Sequence, residues 1–428
     1  MKPELQVALD FLNLDRAIKV AEESVAGGVD WIEVGTPLIK SEGLDAVREI
    51  KKRFPKHKIV ADMKVMDTGR YEVESAAKAG ADIVVLLGVA DDSTITDAVQ
   101  AARNYGCELM VDLMNVEDME KRAREVESMG VDYICVHVGV DQQMRGMDPI
   151  SELKKISRSV KIPLAIAGGI NSETAPIAVG SGASIIIVGG AISKAEDAKK
   201  ATEIIKKAIE KGRPIKTELY KKYADPLKIL KRVSTANISD AMHRSGHMEG
   251  IRAVSVTGER VAGRAVTVRT CPGDWAKTVE AIDVAEKGDI IVIDSGGTGK
   301  AVWGELASWS CKRKGISAVV IDGTTRDLED IRKMGFPVFA REVKPTAGEP
   351  KGFGEINVPI KCGSVPVKPG DYIVGDLDGV VVIPKEKAVE IANRALDVFE
   401  KENRIRREIK KGSTLSRVLE IKKWERRG

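Results

Sequence analysis

Two rhythms of apolar and polar positions alternate along the first half of the chain. Short β-branched runs recur at Leu5–Asp10, Trp31–Gly35, Lys58–Lys64, Ile83–Gly88, Glu108–Met114, Tyr133–Gly139, Pro163–Gly169 and Ser184–Gly190. Between them lie Ala/Glu/Lys-rich stretches such as Leu14–Ala26 and Ser151–Ser159, whose apolar residues fall at helical spacing. Eight such units within about 210 residues predict an α/β fold that closes as a parallel (β/α)8 barrel over 1–212. A doubly wound open sheet is the alternative, and the regularity of the units favours closure.

The rhythm changes after Gly212. Residues 213–230, with Arg213-Pro214 and Asp225-Pro226, read as a linker and lead-in helix. Ser234 or Asn237 caps a helix that follows, and Lys287-Gly288-Asp289 turns into a buried strand at Ile290–Asp294. Val319–Asp322, Asp371–Val374 and Gly379–Pro384 are further strands. The expectation for 231–428 is a compact α/β sandwich of the swivelling type, ending in a basic amphipathic helix at Lys401–Arg427 whose charged face is solvated.

Length and composition fit this picture. At 428 residues the chain is comfortable for two domains. No apolar run approaches the roughly 20 residues that span a bilayer, and the start lacks the apolar core of a signal peptide. The five cysteines are scattered with no Cys-x-x-Cys spacing, which predicts a reduced, cytoplasmic setting and argues against structural zinc. A net charge of +4 is weak evidence for a nucleic-acid partner, and 4% aromatics offer no stacking platform, so none is expected.

Candidate chemistry gathers at the strand ends, where barrels of this kind carry their sites. Asp62-Met63-Lys64-Val65-Met66-Asp67 is the densest cluster. Strand alternation predicts that Asp62 and Lys64 share a face, with Asp67 reaching back from the loop. Asp10, Glu33, Asp112 and His137 end neighbouring strands. Glu33 and Asp62 could hold one Mg2+ with substrate oxygens and water. Lys64 would face negative charge developing on an enediolate oxygen, and His137 could move a proton. Gly168-Gly169 and Gly189-Gly190 close the seventh and eighth runs and suit a phosphate.

Asp62-x-Lys64-x-x-Asp67, with Asp10 and Glu33 before it, resembles the orotidine-phosphate decarboxylase superfamily over about residues 1–210. True orotidine-phosphate decarboxylases typically carry a lysine where this chain has Glu33. The branch that decarboxylates 3-keto-L-gulonate 6-phosphate, the alternative reading, has Glu at the position of Asp112, arginines near Val140 and Gly190, and Thr at Ala167. The residues found here resemble the 3-hexulose-6-phosphate synthase branch, because an acid-bearing substrate would want those cations and formaldehyde would not. That resemblance implies Mg2+ and Lys64 stabilising the 1,2-enediolate of ribulose 5-phosphate, His137 carrying the proton, and addition to formaldehyde or the reverse. It also implies a homodimer in which Asp67 reaches the neighbouring site.

In the second half, Gly296-Gly297-Thr298-Gly299 precedes Trp303-Gly304-Glu305-Leu306, and twenty residues separate Glu305 from Arg326-Asp327. The glycine loop suits a carboxylate or phosphate, although such loops are more often plain turns. An arginine beside an aspartate can hold a 2-oxo acid and a metal. With Val261–Arg269, Gly273-Asp274-Trp275 and Asp376–Pro384, this spacing resembles the family shared by the regulator of ribonuclease E activity A and class II 4-hydroxy-4-methyl-2-oxoglutarate aldolases, across about 230–390. The resemblance implies a divalent cation (Mg2+ or another) on Asp327, a pyruvate carbonyl polarised by Arg326, its carboxylate on amides of Gly304, Glu305 and Leu306, and trimeric assembly. A non-catalytic regulator of RNA processing and an oligomerisation module are the alternatives.

Overall fold

The computed structural model describes residues 2–219, 225–256, 258 and 260–421. Of the expected linker, 220–224 lie outside those residues, as do 422–428 of the expected basic tail. The chain forms two compact units: Met1–Lys222 with Glu400–Gly428, and Tyr223–Phe399. The described residues 400–421 of the C-terminal segment group with the first unit. Among the described residues no helix is long and apolar enough to cross a membrane.

The first unit is a closed barrel of eight parallel strands in sequence order. They are β1 (Glu4–Leu9), β2 (Trp31–Val34), β3 (Lys58–Val65), β4 (Ile83–Leu87), β5 (Glu108–Asp112), β6 (Tyr133–His137), β7 (Leu164–Ala167) and β8 (Ile185–Val188). Strands buried on both faces need apolar residues at nearly every position, which is why these runs look continuous rather than alternating. Alternate residues serve two cores. Leu5, Val7 and Leu9 pack under the helices, whereas Ala8, Val60, Val85, Met110, Cys135, Ala165 and Ile187 fill the barrel.

The barrel interior changes character along its axis. At the N-terminal end, Lys58 Nζ donates to Glu108 Oε2 at 2.6 Å and lies 4.9 Å from the Trp31 ring, plugging the floor. Apolar residues fill the middle. At the C-terminal end the inward side chains become charged.

The second unit adds β9 (Arg252–Ser255), β10 (Val261–Arg269), β11 (Ile290–Asp294), β12 (Ala318–Thr325), β13 (Val338–Val343), β14 (Glu355–Ile356), β15 (Ile360–Cys362), β16 (Val365–Val367), β17 (Tyr372–Asp376) and β18 (Gly379–Ile383). They build a sheet in the order β18-β17-β10-β11-β12-β13-β9, with β14 on β10 and a separate β15–β16 hairpin. β10 to β13 run parallel, and β9, β17 and β18 are antiparallel. Opposite faces of β11 and β12 feed different cores: Ile291, Ile293, Val319 and Ile321 on one side, Ile290, Val292 and Val320 on the other. Ser234 is the cap of helix Thr235–Ala241, with Asn237 completing a capping box. Asp274, buried, accepts from the amides of Ala276, Lys351, Gly352 and Phe353 at 2.8 to 3.3 Å, fixing the turn over β10.

Candidate active site

Six charged or titratable side chains meet at the C-terminal mouth of the barrel. Lys64 Nζ lies 3.0 Å from Asp62 Oδ2 and 3.2 Å from Asp112 Oδ2. The same Asp112 oxygen is 2.7 Å from His137 Nδ1, and its partner Oδ1 accepts from the Met114 amide at 2.9 Å. Thr36 Oγ1 donates to Asp62 Oδ2 at 2.8 Å. Glu33 is buried and accepts from Gln6 Nε2 at 2.5 Å, while Asp10 leans on Gly35 so closely that a Cβ there has no room.

Alternation alone does not bring Asp62 and Lys64 together. The β3–β4 pairing slips between Ala61 and Val65, and Lys64 takes φ of 49°. A left-handed lysine costs about 1–3 kcal/mol, so it persists only where its surroundings hold it. Here two buried carboxylates do. The bulge turns Lys64 from the strand onto Asp62 and Asp112.

The charges shift one another's proton affinities. Burial opposes the charge on Lys64, but Asp62, Asp112 and Glu33 outweigh it and raise its pKa well above the ordinary value. Burial would raise Asp112, yet His137 and Lys64 overcome it and hold the carboxyl at about 2. Glu33 moves the other way: burial, then Asp62 and Asp10, push it well above the usual range. Asp10 keeps solvent access from the mouth, but the surrounding protein and Asp62 raise it too. A His137 ring that donates Nδ1–H to Asp112 has its Nε2 left as the second ring nitrogen for a proton transfer.

Asp67 does not join the cluster. It is exposed, and its carboxylate accepts from the Thr68 amide at 2.7 Å instead of reaching back. Gly168 and Gly169 both adopt positive φ, 106° and 73°, after β7, and Gly190 opens the short helix Gly190–Ser193 after β8. An ideal Cβ at Gly189 would stand 3.6 Å from Asp10 Oδ2, so the glycine turn borders the charged cluster. Val140 is exposed and Ala167 buried, and neither brings a cation to the mouth. Gln6 was not among the expected site residues. The signal was a polar side chain at an inward position of an otherwise apolar strand.

The second cluster is more open. Arg326 Nε lies 3.3 Å from Asp327 Oδ2, with the two side chains 41% and 35% exposed. Asp327, at φ of 59°, also accepts from the Glu305 amide at 3.2 Å. A Cβ on Gly304 would stand 2.6 Å from Asp327 Oδ2, which explains a glycine there. The Glu305 amide, expected to receive a substrate carboxylate, is therefore engaged by Asp327, and Leu306 points its side chain to solvent. In the Gly296–Gly299 loop the amides of Gly296 and Gly299 donate to Asp294 Oδ1 and Thr324 Oγ1.

Two families match the chain in separate regions. Residues 3–205 match the orotidine 5'-phosphate decarboxylase / HUMPS family, and residues 235–382 match the RraA-like family, Aldolase/RraA. A 3-hexulose-6-phosphate synthase of Bacillus subtilis (strain 168) is 45% identical over 210 residues, 49% of this chain and 100% of that protein. The chain belongs to the orotidine 5'-phosphate decarboxylase / HUMPS family. A 3-hexulose-6-phosphate synthase of Staphylococcus epidermidis is 42% identical over 208 residues, 48% of this chain and 99% of the relative. The crystal structure of 3-hexulose-6-phosphate synthase from Salmonella typhimurium is 37% identical, covers 49% of this chain and 100% of that one, and superposes with a TM-score of 0.48.

Proposed function

We propose that the barrel is a 3-hexulose-6-phosphate synthase, joining ribulose 5-phosphate and formaldehyde or running the reverse cleavage. The observation that carries this reading is Lys64, held between Asp62 and Asp112 with His137 on the same Asp112 oxygen. His137 Nε2 takes the proton from C1 of ribulose 5-phosphate. The charge moves onto the enediolate oxygens, where the Lys64 ammonium faces it. The C1–C2 electrons then form the bond to the formaldehyde carbon, whose oxygen collects a proton as the hydroxyl of the six-carbon product. The sugar's phosphate sits on the turns at Gly168–Gly169 and Gly189–Gly190.

A divalent cation fits this mouth. Glu33 and Asp62 are buried oxygen donors, burial and neighbouring carboxylates raise Glu33, and Gln6 Oε1 is buried without a hydrogen-bond partner. Mg2+ keeps several waters and substrate oxygens in its shell, so two carboxylates would be enough to hold it. When bound, it would add positive charge beside the enediolate oxygens. Exposed Asp67, with Met66 and Tyr71 exposed beside it, supports a barrel dimer in which Asp67 reaches the second site. The test is formaldehyde-dependent loss of ribulose 5-phosphate. Asp62→Ala should abolish it, and persistence of the activity in that variant would break the mechanism.

For the second unit we infer a metal-assisted aldolase or decarboxylase of pyruvate-type 2-oxo acids. Arg326 and Asp327 sit together at the end of β12, and the Asp327 contacts among the described residues fall on Oδ2, which leaves Oδ1 for a cation and waters. Pyruvate release from 4-hydroxy-4-methyl-2-oxoglutarate or oxaloacetate with Mg2+ tests it. No turnover of either substrate would sink the aldolase reading and leave a binding or scaffolding role.

A further inference from the structure

The segment after Phe399 lies outside both family matches, 3–205 and 235–382, yet its described residues, 400–421, group with the barrel unit. Lys401, Arg406, Lys410, Lys411 and Arg417 are exposed, as a solvated face requires, but one of its cations is not. Arg404, in helix Ala388–Lys410, is 5% exposed. Its guanidinium donates to Glu23 Oε2 at 2.8 Å and Oε1 at 3.2 Å, to the Ala195 carbonyl at 3.2 Å, and to Glu408 Oε1 at 3.2 Å. Glu23 Oε2 also accepts from the Ala198 amide, and Arg407 Nη2 reaches Asp197 Oδ2 at 3.3 Å. Glu408 takes two bonds from Arg16, at 3.0 and 3.1 Å, and Glu420 pairs with Asn13, the cap of helix Leu14–Ala26.

These contacts converge on two loops. Asn13 and Arg16 follow β1, whose end carries Asp10. Ala195, Asp197 and Ala198 follow β8 and the Gly189–Gly190 turn. β1 and β8 are paired neighbours in the barrel. A buried arginine is costly unless its donors are satisfied, and this one spends a donor on a backbone carbonyl one turn beyond Gly190–Ser193. The Bacillus subtilis relative is matched over its whole length by 49% of this chain.

We propose that the C-terminal segment is a positioning strap for the sugar-phosphate site, with Arg404 as its positioning residue. It acts through Ala195 and Glu23 to hold the β8 loop, and through Glu408 and Glu420 to hold the β1 loop. The proposal rests on the reading of Gly189–Gly190 as the phosphate turn.

The experiment uses the full chain. Arg404→Ala should raise KM for ribulose 5-phosphate, and the inhibition constant of ribose 5-phosphate, about tenfold, the loss expected for a charge-assisted hydrogen bond, with kcat nearly unchanged. Arg404→Lys should recover part of that loss. Hydrogen exchange should show faster exchange at the Gly190–Ala195 amides in Arg404→Ala, whether or not the wild type turns over. Unchanged KM with a lowered Tm would make the strap a mere brace and overturn the proposal, as would unchanged exchange. If Arg404→Ala does not fold, Arg407→Ala tests the same loop through Asp197, with a smaller rise in KM expected. Absence of turnover in the wild type would count against the synthase reading, leaving the exchange result to judge the strap.

Discussion

The barrel mouth and the Arg326–Asp327 corner both set a cation against carboxylates, but in different media. Around Lys64 the partners Asp62 and Asp112 have side chains 8% and 4% exposed. Around Arg326 and Asp327 more than a third of each side chain meets water. Buried charges polarise one another and arrive with their geometry fixed. The exposed pair is screened and has one amide and one guanidinium to orient it.

The sharpest way to break this contrast is to remove the central cation. Lys64→Ala should lower kcat for ribulose 5-phosphate and formaldehyde by about 10²–10³-fold, the range for deleting one preorganised electrostatic donor. Lys64→Arg should not restore it, because the planar guanidinium cannot take the place of the ammonium between Asp62 and Asp112. A loss of less than about threefold in Lys64→Ala, measured at saturating substrate, would place the chemistry elsewhere.

Next in size is Asp112. Its carboxyl sits at about 2 when folded, against an ordinary 3.8, so the stability it contributes is complete above about pH 4 and is lost as pH falls toward 2. The shift corresponds to about 2 kcal/mol. Urea unfolding between pH 5 and 2 should show a steeper acid loss in the wild type than in Asp112→Asn. At neutral pH the variant should be less stable by about 3 kcal/mol, since Lys64 and His137 lose a buried partner. Equal acid slopes in the two proteins would contradict the pairing.

The fold was legible where periodicity reports burial. The eight runs mark the eight barrel strands because parallel strands must be apolar on both faces. The residues at the mouth were legible because barrels concentrate charge at C-terminal strand ends. What brings Lys64 onto Asp62 was not, since alternation cannot foresee a bulge or a lysine at positive φ. Asp67 was misplaced for a related reason: its own loop offered the Thr68 amide. The partners of the C-terminal helix were not legible either. Composition shows that Lys401–Arg427 is basic, but only tertiary structure shows Glu23 and Asp197 waiting for Arg404 and Arg407.

The smallest effect belongs to the open corner, and it separates stability from function. Arg326→Ala should change the unfolding free energy by no more than about 0.5 kcal/mol, because an exposed pair gains little over water. The same change should remove pyruvate release, if the guanidinium is what polarises the 2-oxo carbonyl, while Arg326→Lys keeps the charge and loses the fork. Thermal unfolding and the pyruvate assay on the same preparations check both halves. A large drop in Tm would mean that Arg326 is a structural tie, and the corner would then resemble the barrel mouth more closely than its exposure suggests.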